Sequence, residues 1–523
     1  MTKKALTVDL ILFAMALWYA VSWLATGCDS AGLALMIGLL PYVLLYIGLR
    51  ILFSIDLCGK KVEGVVPIAL CMWGIAEAAC GLWQVVGRGN SNHALFAMTG
   101  SFSNPGPYGG FIACIMSIAF GWIYSLLMEN ASKSVILKGY LALGLFAFCA
   151  GFLVLPASMS RAAWFGLAFA IGVTLLYDKC VRKWMLRHKF VIPIGIAVVV
   201  ILSVGAFFLK RDSAIGRLHI WDIELRAIMN HPVFGSGPGL GAGAYGDAQA
   251  DFFQKKLPLV SEARIRVAGC PEYPFNEFLG VGVETGLPGM LLAICLAVVA
   301  ILRLLEKNSP IAAGLICWTV FSFASYPLSV PKLAILLTVF LAASASVPVF
   351  VVSEKMVASG AVAVVSGLTM CLMVKPMERL VISSELQQSV NFRRIYENGY
   401  SLFLGGEYAE SLEILEDGSR LSSDPMFYVI IGRDYEGLGD YVAAKDAYLR
   451  AHYMVPGRLY PLVRLMRLQI RSGQDAQALE TAGIILDKPI TPHHRTMQRL
   501  HDEVIASRDS LAYMIGLKNY YED

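Results

Sequence analysis

The chain has 523 residues, of which 57% are hydrophobic and 16% charged, and its mean hydropathy is +0.61. That apolar excess is more than a soluble core absorbs, so the composition excludes a soluble protein and indicates an integral membrane protein. The net charge of +4 is small and dispersed, which gives no reason to expect nucleic acid, and the eleven cysteines form no CxxC pair, so neither a disulfide framework nor a metal site is indicated.

In chain order, the basic start (Lys3, Lys4) leads into an apolar stretch at 7–25 that is too long for a signal-peptide core, so it reads as an uncleaved first helix. Further apolar runs lie at 33–53, 64–85, 107–127, 135–156, 162–178, 190–209, 287–305, 309–327, 333–352 and 355–374, which predicts about eleven spans. Lys3, Lys4, Arg50, Lys60, Lys61, Lys133, Arg303, Lys307 and the cluster KCVRKWMLRHK (179–189) all fall on one side, which the positive-inside rule makes cytoplasmic. The loop at about 210–286 and the tail then lie on the opposite side. The interior of the spans reads as free of paired charges, and the polar motifs cluster on one face only, which counts against a transporter.

From about 385 the sequence turns polar and helical and repeats itself, as GGEYAESLEIL (405–415), GLGDYVAAKDAYLRA (437–451) and SGQDAQALETAGIIL (472–486). The spacing of Gly406, Gly439 and Gly473 resembles that of tetratricopeptide repeats, whose stacked hairpins leave a groove for a peptide or partner protein. The expected fold is therefore all-α, with a transmembrane domain at 1–374 and a helical-repeat domain at 385–523.

Four stretches carry what chemistry there is. In TGSFSNPGPYGGFIA (99–113), Pro105 and Pro107 break helix, so a turn leads into the fourth span with Ser101, Ser103 and Asn104 at its mouth; this reads as a capped helix entry, whose free amides also suit an anion. In PASMSRAAWFG (156–166), Arg161 opens an apolar helix, where a cation either snorkels or grips two phosphate oxygens. In GRLHIWDIELRAIMNHPVFGSGPGLGAGAYG (216–246), Arg217, Trp221, Glu224 and Ile228 share one helical face, ahead of a glycine-rich turn. No strand precedes those glycines, so a dinucleotide fold is excluded and no cofactor is expected. The fourth stretch, EYPFNEFLGVGVETGLPG (272–289), carries Glu272, Asn276, Glu277 and Glu284 where the chain turns into the next span.

Together, SFSNPGPYGG, SRAAWFG, the arginine–tryptophan pair of GRLHIW, NHPVFGSGPG and NEFLGVGVETGLPG resemble the O-antigen ligase superfamily, which includes O-antigen ligases, O-antigen polymerases and bacterial protein O-oligosaccharyltransferases. The resemblance implies a multi-pass protein of the bacterial inner membrane, with a cytoplasmic N-terminus and a periplasmic loop and tail. It implies transfer of a glycan from an undecaprenyl diphosphate carrier to an acceptor hydroxyl, with inversion and without metal. Carried onto this sequence, Arg161 and Arg217 become the diphosphate ligands, Ser103 and Asn104 line the substrate mouth, and Arg264 and Arg266 are further cations proposed from their place in the loop. Many relatives place a histidine directly before the asparagine of this motif; here that position is Phe275, which cannot accept a proton. Glu272 is the first candidate for the base, with Glu277, His219 and His231 behind it, Asn276 and Arg217 complete the expected catalytic set, and Glu284 reads as a helix-start or ion-pairing residue. The repeat tail favours a protein Ser/Thr acceptor over lipid A core. The other readings are a glycan polymerase, a non-catalytic membrane scaffold and a polysaccharide transporter.

Overall fold

The computed structural model describes residues 8–53, 56–57, 60–128, 135–188, 190, 195, 211–345, 362, 364–366, 390–488 and 495–522. Apart from a two-residue antiparallel ladder pairing Asp56 with Lys61 and Leu57 with Lys60, the described secondary structure is helical. The chain divides into two compact units: Met1–Leu24, Leu35–Arg211 and Tyr273–Ile382 form the first, and Ala25–Ala34, Asp212–Glu272 and Ser383–Asp523 the second.

The first unit is the membrane part. Among the described residues, six helices are long and apolar enough to cross a bilayer: α1 (Val8–Ala25), α2 (Ser30–Leu52), α3 (Val66–Val85), α4 (Pro105–Met128), α5 (Val135–Val154) and α11 (Glu277–Glu306). A seventh is added if α6 (Arg161–Tyr177) and α7 (Lys179–Arg187) count as one span bent by 92°. The bend has a local cause: Asp178 is extended and its Oδ1 accepts hydrogen bonds from Cys180 N at 2.7 Å and Val181 N at 2.9 Å, so it starts α7 as a separate helix. The runs expected to span at 309–327 and 333–352 overlap the shorter apolar helices α12 (Ile311–Ser322) and α13 (Pro331–Ser344). The spans expected at 190–209 and 355–374 lie almost wholly outside the described residues.

Helix α4 is the axis of this unit. Seventeen of its residues are buried, and α3, α5, α6 and α12 pack around it. Small residues bring the backbones close: a Cβ on Gly110 would stand 2.4 Å from Phe321, and one on Gly166 would stand 2.9 Å from the Cys317 carbonyl. Charged pairs also tie the helices together. Arg50 near the end of α2 bonds Asp9 at the start of α1 at 3.0 Å, and Tyr46 donates to the same carboxylate at 2.5 Å. A second pair belongs to the site described below. Helix α11 is two helices joined at Gly286, whose φ of 75° no L-residue adopts comfortably; the straight apolar part therefore begins at Leu287, where the sequence places the span.

The second unit gathers residues 212–272 with the tail. It holds α8 (Arg211–Asn230), α9 (Gly241–Lys256) and α10 (Glu262–Val267), followed by α14 (Phe392–Gly405), α15 (Tyr408–Ser419), α16 (Met426–Leu438), α17 (Tyr441–Met454), α18 (Tyr460–Arg471), α19 (Asp475–Leu486) and α20 (Arg495–Glu522). The tail helices pair in sequence, α14 with α15, α16 with α17 and α18 with α19. Gly406, Gly439 and Gly473, the three periodic glycines of the sequence, stand at the turn inside each pair with φ of 83°, 84° and 69°. Helix α9 packs on α17 and on the end of α15 because two of its residues lack side chains: a Cβ on Gly246 would come within 2.7 Å of Met454, and one on Gly243 would overlap the Arg420 carbonyl.

Candidate functional site

In the first unit, three motif segments meet at one end of the helix bundle. Gly109, near the start of α4, faces the turn before α6, where an added Cβ would stand 2.5 Å from Ser158 Oγ and 2.8 Å from Ser160. SFSNPGPYGG and PASMSRAAW are thus neighbours. Asn104 starts α4, its Oδ1 accepting from Gly106 N at 2.9 Å, while Ser103 is exposed. Arg161 is the first residue of α6, half-buried and engaged by its surroundings. The turn that delivers it is fixed by Ser158, which donates to the Leu155 carbonyl at 2.6 Å and accepts from Ser160 N at 3.3 Å, and by Met159 at φ 54°.

The fourth motif closes on the loop between α12 and α13. Asn276 is buried and caps α11, its Oδ1 accepting from Phe278 N at 3.0 Å and Leu279 N at 3.3 Å. Glu277 is also buried and accepts from Leu328 N at 2.6 Å. Tyr326 of the same loop stacks on Tyr273 with centroids 4.9 Å apart and meets Phe275 edge-on at 5.6 Å. Glu284 is half-buried, and its carbonyl accepts from Ser22 Oγ at 3.3 Å while Trp18 Nε1 donates to the Thr285 carbonyl at 2.8 Å, which ties α11 to α1.

That loop continues into a cluster the sequence reading missed. Lys332, the second residue of α13, bonds Glu77 Oε1 at 2.6 Å, and Ser101 Oγ lies 2.6 Å from both oxygens of the same carboxylate and accepts from Lys332. The ammonium also sits 4.8 Å from the centre of the Phe102 ring, and Tyr108, wholly buried, donates to the Glu77 carbonyl at 3.1 Å. Gln84 fixes the loop alongside: its Oε1 accepts from Thr99 N and Gly100 N, both at 2.8 Å, and its Nε2 donates to the Gly100 carbonyl at 2.8 Å. A signal for this cluster exists in the sequence. Glu77 is the one charged residue between Glu63 and Arg88, and Lys332 the one between Lys307 and Glu354, so each is a solitary charge of opposite sign in an apolar run.

The second unit holds the other expected residues. Arg217 and Trp221 are half-buried on α8, and both are engaged by their surroundings. His219 is buried; its Nδ1 accepts from Arg264 Nε at 2.8 Å and its Nε2 faces Gln249 Oε1 at 2.8 Å. Burial pushes its pKa down to about 4, and the neighbouring Arg264 charge adds to the drop. With its lone pair held by a guanidinium, this imidazole is a structural element of α8. Arg264 also pairs with Asp222 and lies 4.3 Å over the Phe252 ring, whereas Arg266 pairs with Asp212 at 2.9 Å in the open. His231 is exposed at the end of α8. Glu272 is ion-paired with Arg393 at 2.6 Å. The glycines of the turn serve packing: Gly237 and Gly239, with φ of 109° and 80°, lie against Thr26 and the Ala31 carbonyl.

The model of the O-antigen ligase family matches residues 144–294. That segment runs from within α5 into α11 and contains Arg161, Arg217, Glu272, Asn276 and Glu284, while Glu77, Ser101 and Lys332 lie outside it. No curated protein and no solved structure matches the chain. Over residues 144–294, therefore, the chain is similar to the O-antigen ligase family.

Proposed function

We propose that this protein moves a glycan from an undecaprenyl diphosphate carrier to an acceptor hydroxyl on the periplasmic face of the bacterial inner membrane, by an inverting reaction that uses no metal. The observation that carries this reading is the family match, which encloses both arginines expected to meet the diphosphate. As the sugar–phosphate bond breaks, negative charge grows on the leaving group, and fixed cations lower the barrier in proportion to how dry their surroundings are. Arg161 and Arg217 are half-buried, which suits that task. Arg264 is committed to Asp222 and His219 and acts by shaping α8, and Arg266 is too exposed to add much. Ser103 supplies a hydroxyl at the mouth, while Asn104 and Asn276 set the first turns of α4 and α11.

The acceptor oxygen attacks the anomeric carbon on the face opposite the diphosphate and gives its proton to a carboxylate. Glu272 remains our candidate for that role, with the Arg393 guanidinium orienting it. Protein serine or threonine is the favoured acceptor, because stacked helix hairpins such as α14–α19 offer peptide-binding surfaces; lipid A core is the alternative. In a purified assay with a lipid-linked donor, Arg161→Ala and Arg217→Ala should each lower transfer by about 10²- to 10³-fold, and Glu272→Gln should lower turnover by at least about 10²-fold with donor binding unchanged. Full activity of both arginine variants would remove the diphosphate assignment.

A further inference from the structure

Helix α8 is amphipathic in an inverted sense. His219, Ile223, Ala227 and Ile228 are buried on one side, while Leu218, Leu225 and Met229, which helical geometry stacks on the opposite side, are 56%, 49% and 68% exposed. Beside this stripe a groove of about 410 Å³ runs between α8 and α9, lined by Leu225, Met229, Arg226, Phe252, Lys255 and Lys256. Its two carboxylates are already neutralised: Asp222 by Arg226 at 3.3 Å and by Arg264, and Asp251 by Arg450 at 3.6 Å. Lys255 and Lys256 form no ion pair among the described residues, and the Phe252 ring lies 4.8 Å from the Arg226 guanidinium and 6.0 Å from the Lys256 ammonium. The groove therefore presents unbalanced positive charge next to a strip of exposed hydrocarbon.

We propose that this surface docks on the bilayer that the chain itself spans, with the headgroup of an anionic phospholipid in the α8–α9 groove and Leu218, Leu225 and Met229 among the acyl chains. Charge complementarity selects the occupant. An apolar strip flanked by free lysines matches an interfacial helix on anionic lipid, and each cation near such a surface adds attraction. A sugar would leave the lysines without counter-charge, and free inorganic phosphate would leave the apolar strip in water. The inference is independent of the transfer reaction, since it needs only the bilayer.

The test uses the full chain in nanodiscs of phosphatidylcholine carrying a minor fraction of phosphatidylglycerol, with p-benzoylphenylalanine incorporated in place of Leu225 and, separately, of Met229. After illumination, the adducts are identified by mass spectrometry. Both positions should yield lipid adducts in which phosphatidylglycerol exceeds its mole fraction, and removing one lysine (Lys255→Gln or Lys256→Gln) should cut that excess by roughly fivefold, with lipid adducts still formed. Added inorganic phosphate should leave the excess in place. Adducts that mirror the bulk lipid composition would overturn the headgroup assignment, and so would an excess abolished by phosphate. Adducts to protein alone, or none, would overturn the membrane docking itself.

Discussion

At the scale of single residues, Asn276 and Glu77 show two ways a polar side chain is spent in an apolar setting. Asn276 satisfies two amides at the start of α11, so Asn276→Ala should lower the melting temperature of the detergent-solubilised protein by an amount equivalent to about 1 kcal/mol, and Asn276→Asp should restore most of it. Glu77 is held by Lys332 and Ser101, and removing one partner leaves a buried charge. Lys332→Met should therefore destabilise by roughly 3 kcal/mol, and the double change Glu77→Gln with Lys332→Met should recover much of that loss. Asn276 is singled out in the sequence by the family motif, as a member of the expected catalytic set and not as a helix cap. The Glu77 pair is legible only as two solitary charges, since their partnership depends on how α3 and α13 pack, and 255 residues separate them.

At the scale of elements, backbone conformation decides more than composition does. The Gly286 break lets α11 change direction between its polar start and its apolar length, and Gly286→Ala, forced to hold φ 75°, should cost on the order of 1–2 kcal/mol in thermal unfolding. The start of the apolar run at 287 is visible in the sequence, whereas the short helix before it is not, because glycine and proline in ETGLPG read as a plain turn. In the tail, Asp434 of α16 is wholly buried and accepts from Ser411 Oγ of α15 at 2.8 Å. Burial raises its pKa from 3.8 to about 6. A raised carboxyl pKa means that folding favours the protonated form; this stabilisation is complete below about pH 4 and is lost as pH rises through 6. Asp434→Asn should thus raise stability by about 1–2 kcal/mol at pH 8 and by little at pH 4, a difference that melting curves at the two pH values would show. The period of the tail is readable in the sequence because Gly406, Gly439 and Gly473 must take positive φ at each turn. The association of residues 212–272 with the tail is not, since it rests on Gly243 and Gly246 meeting Arg420 and Met454.

At the scale of the whole molecule, a polytopic membrane unit carries one set of family motifs and a helical unit another, and the family match runs through both. Composition made the membrane class plain, and the ordered motifs pointed to the family whose model matches residues 144–294. The identity of the proton acceptor was hidden, because Phe275 breaks the pattern and now packs against Tyr326. If the tail captures the acceptor, deleting 385–523 should raise the KM for acceptor far more than that for donor; equal loss of both would assign the tail to folding alone. The most direct measurement of the central claim is transfer by the purified full-length protein in liposomes, supplied with an undecaprenyl diphosphate-linked glycan and serine- or threonine-containing acceptor protein, with chelator present. Glycosylated acceptor, free undecaprenyl diphosphate in equal amount and inverted anomeric configuration are the expected products. An intact donor, with lipid A core offered as well, would contradict the proposed transfer.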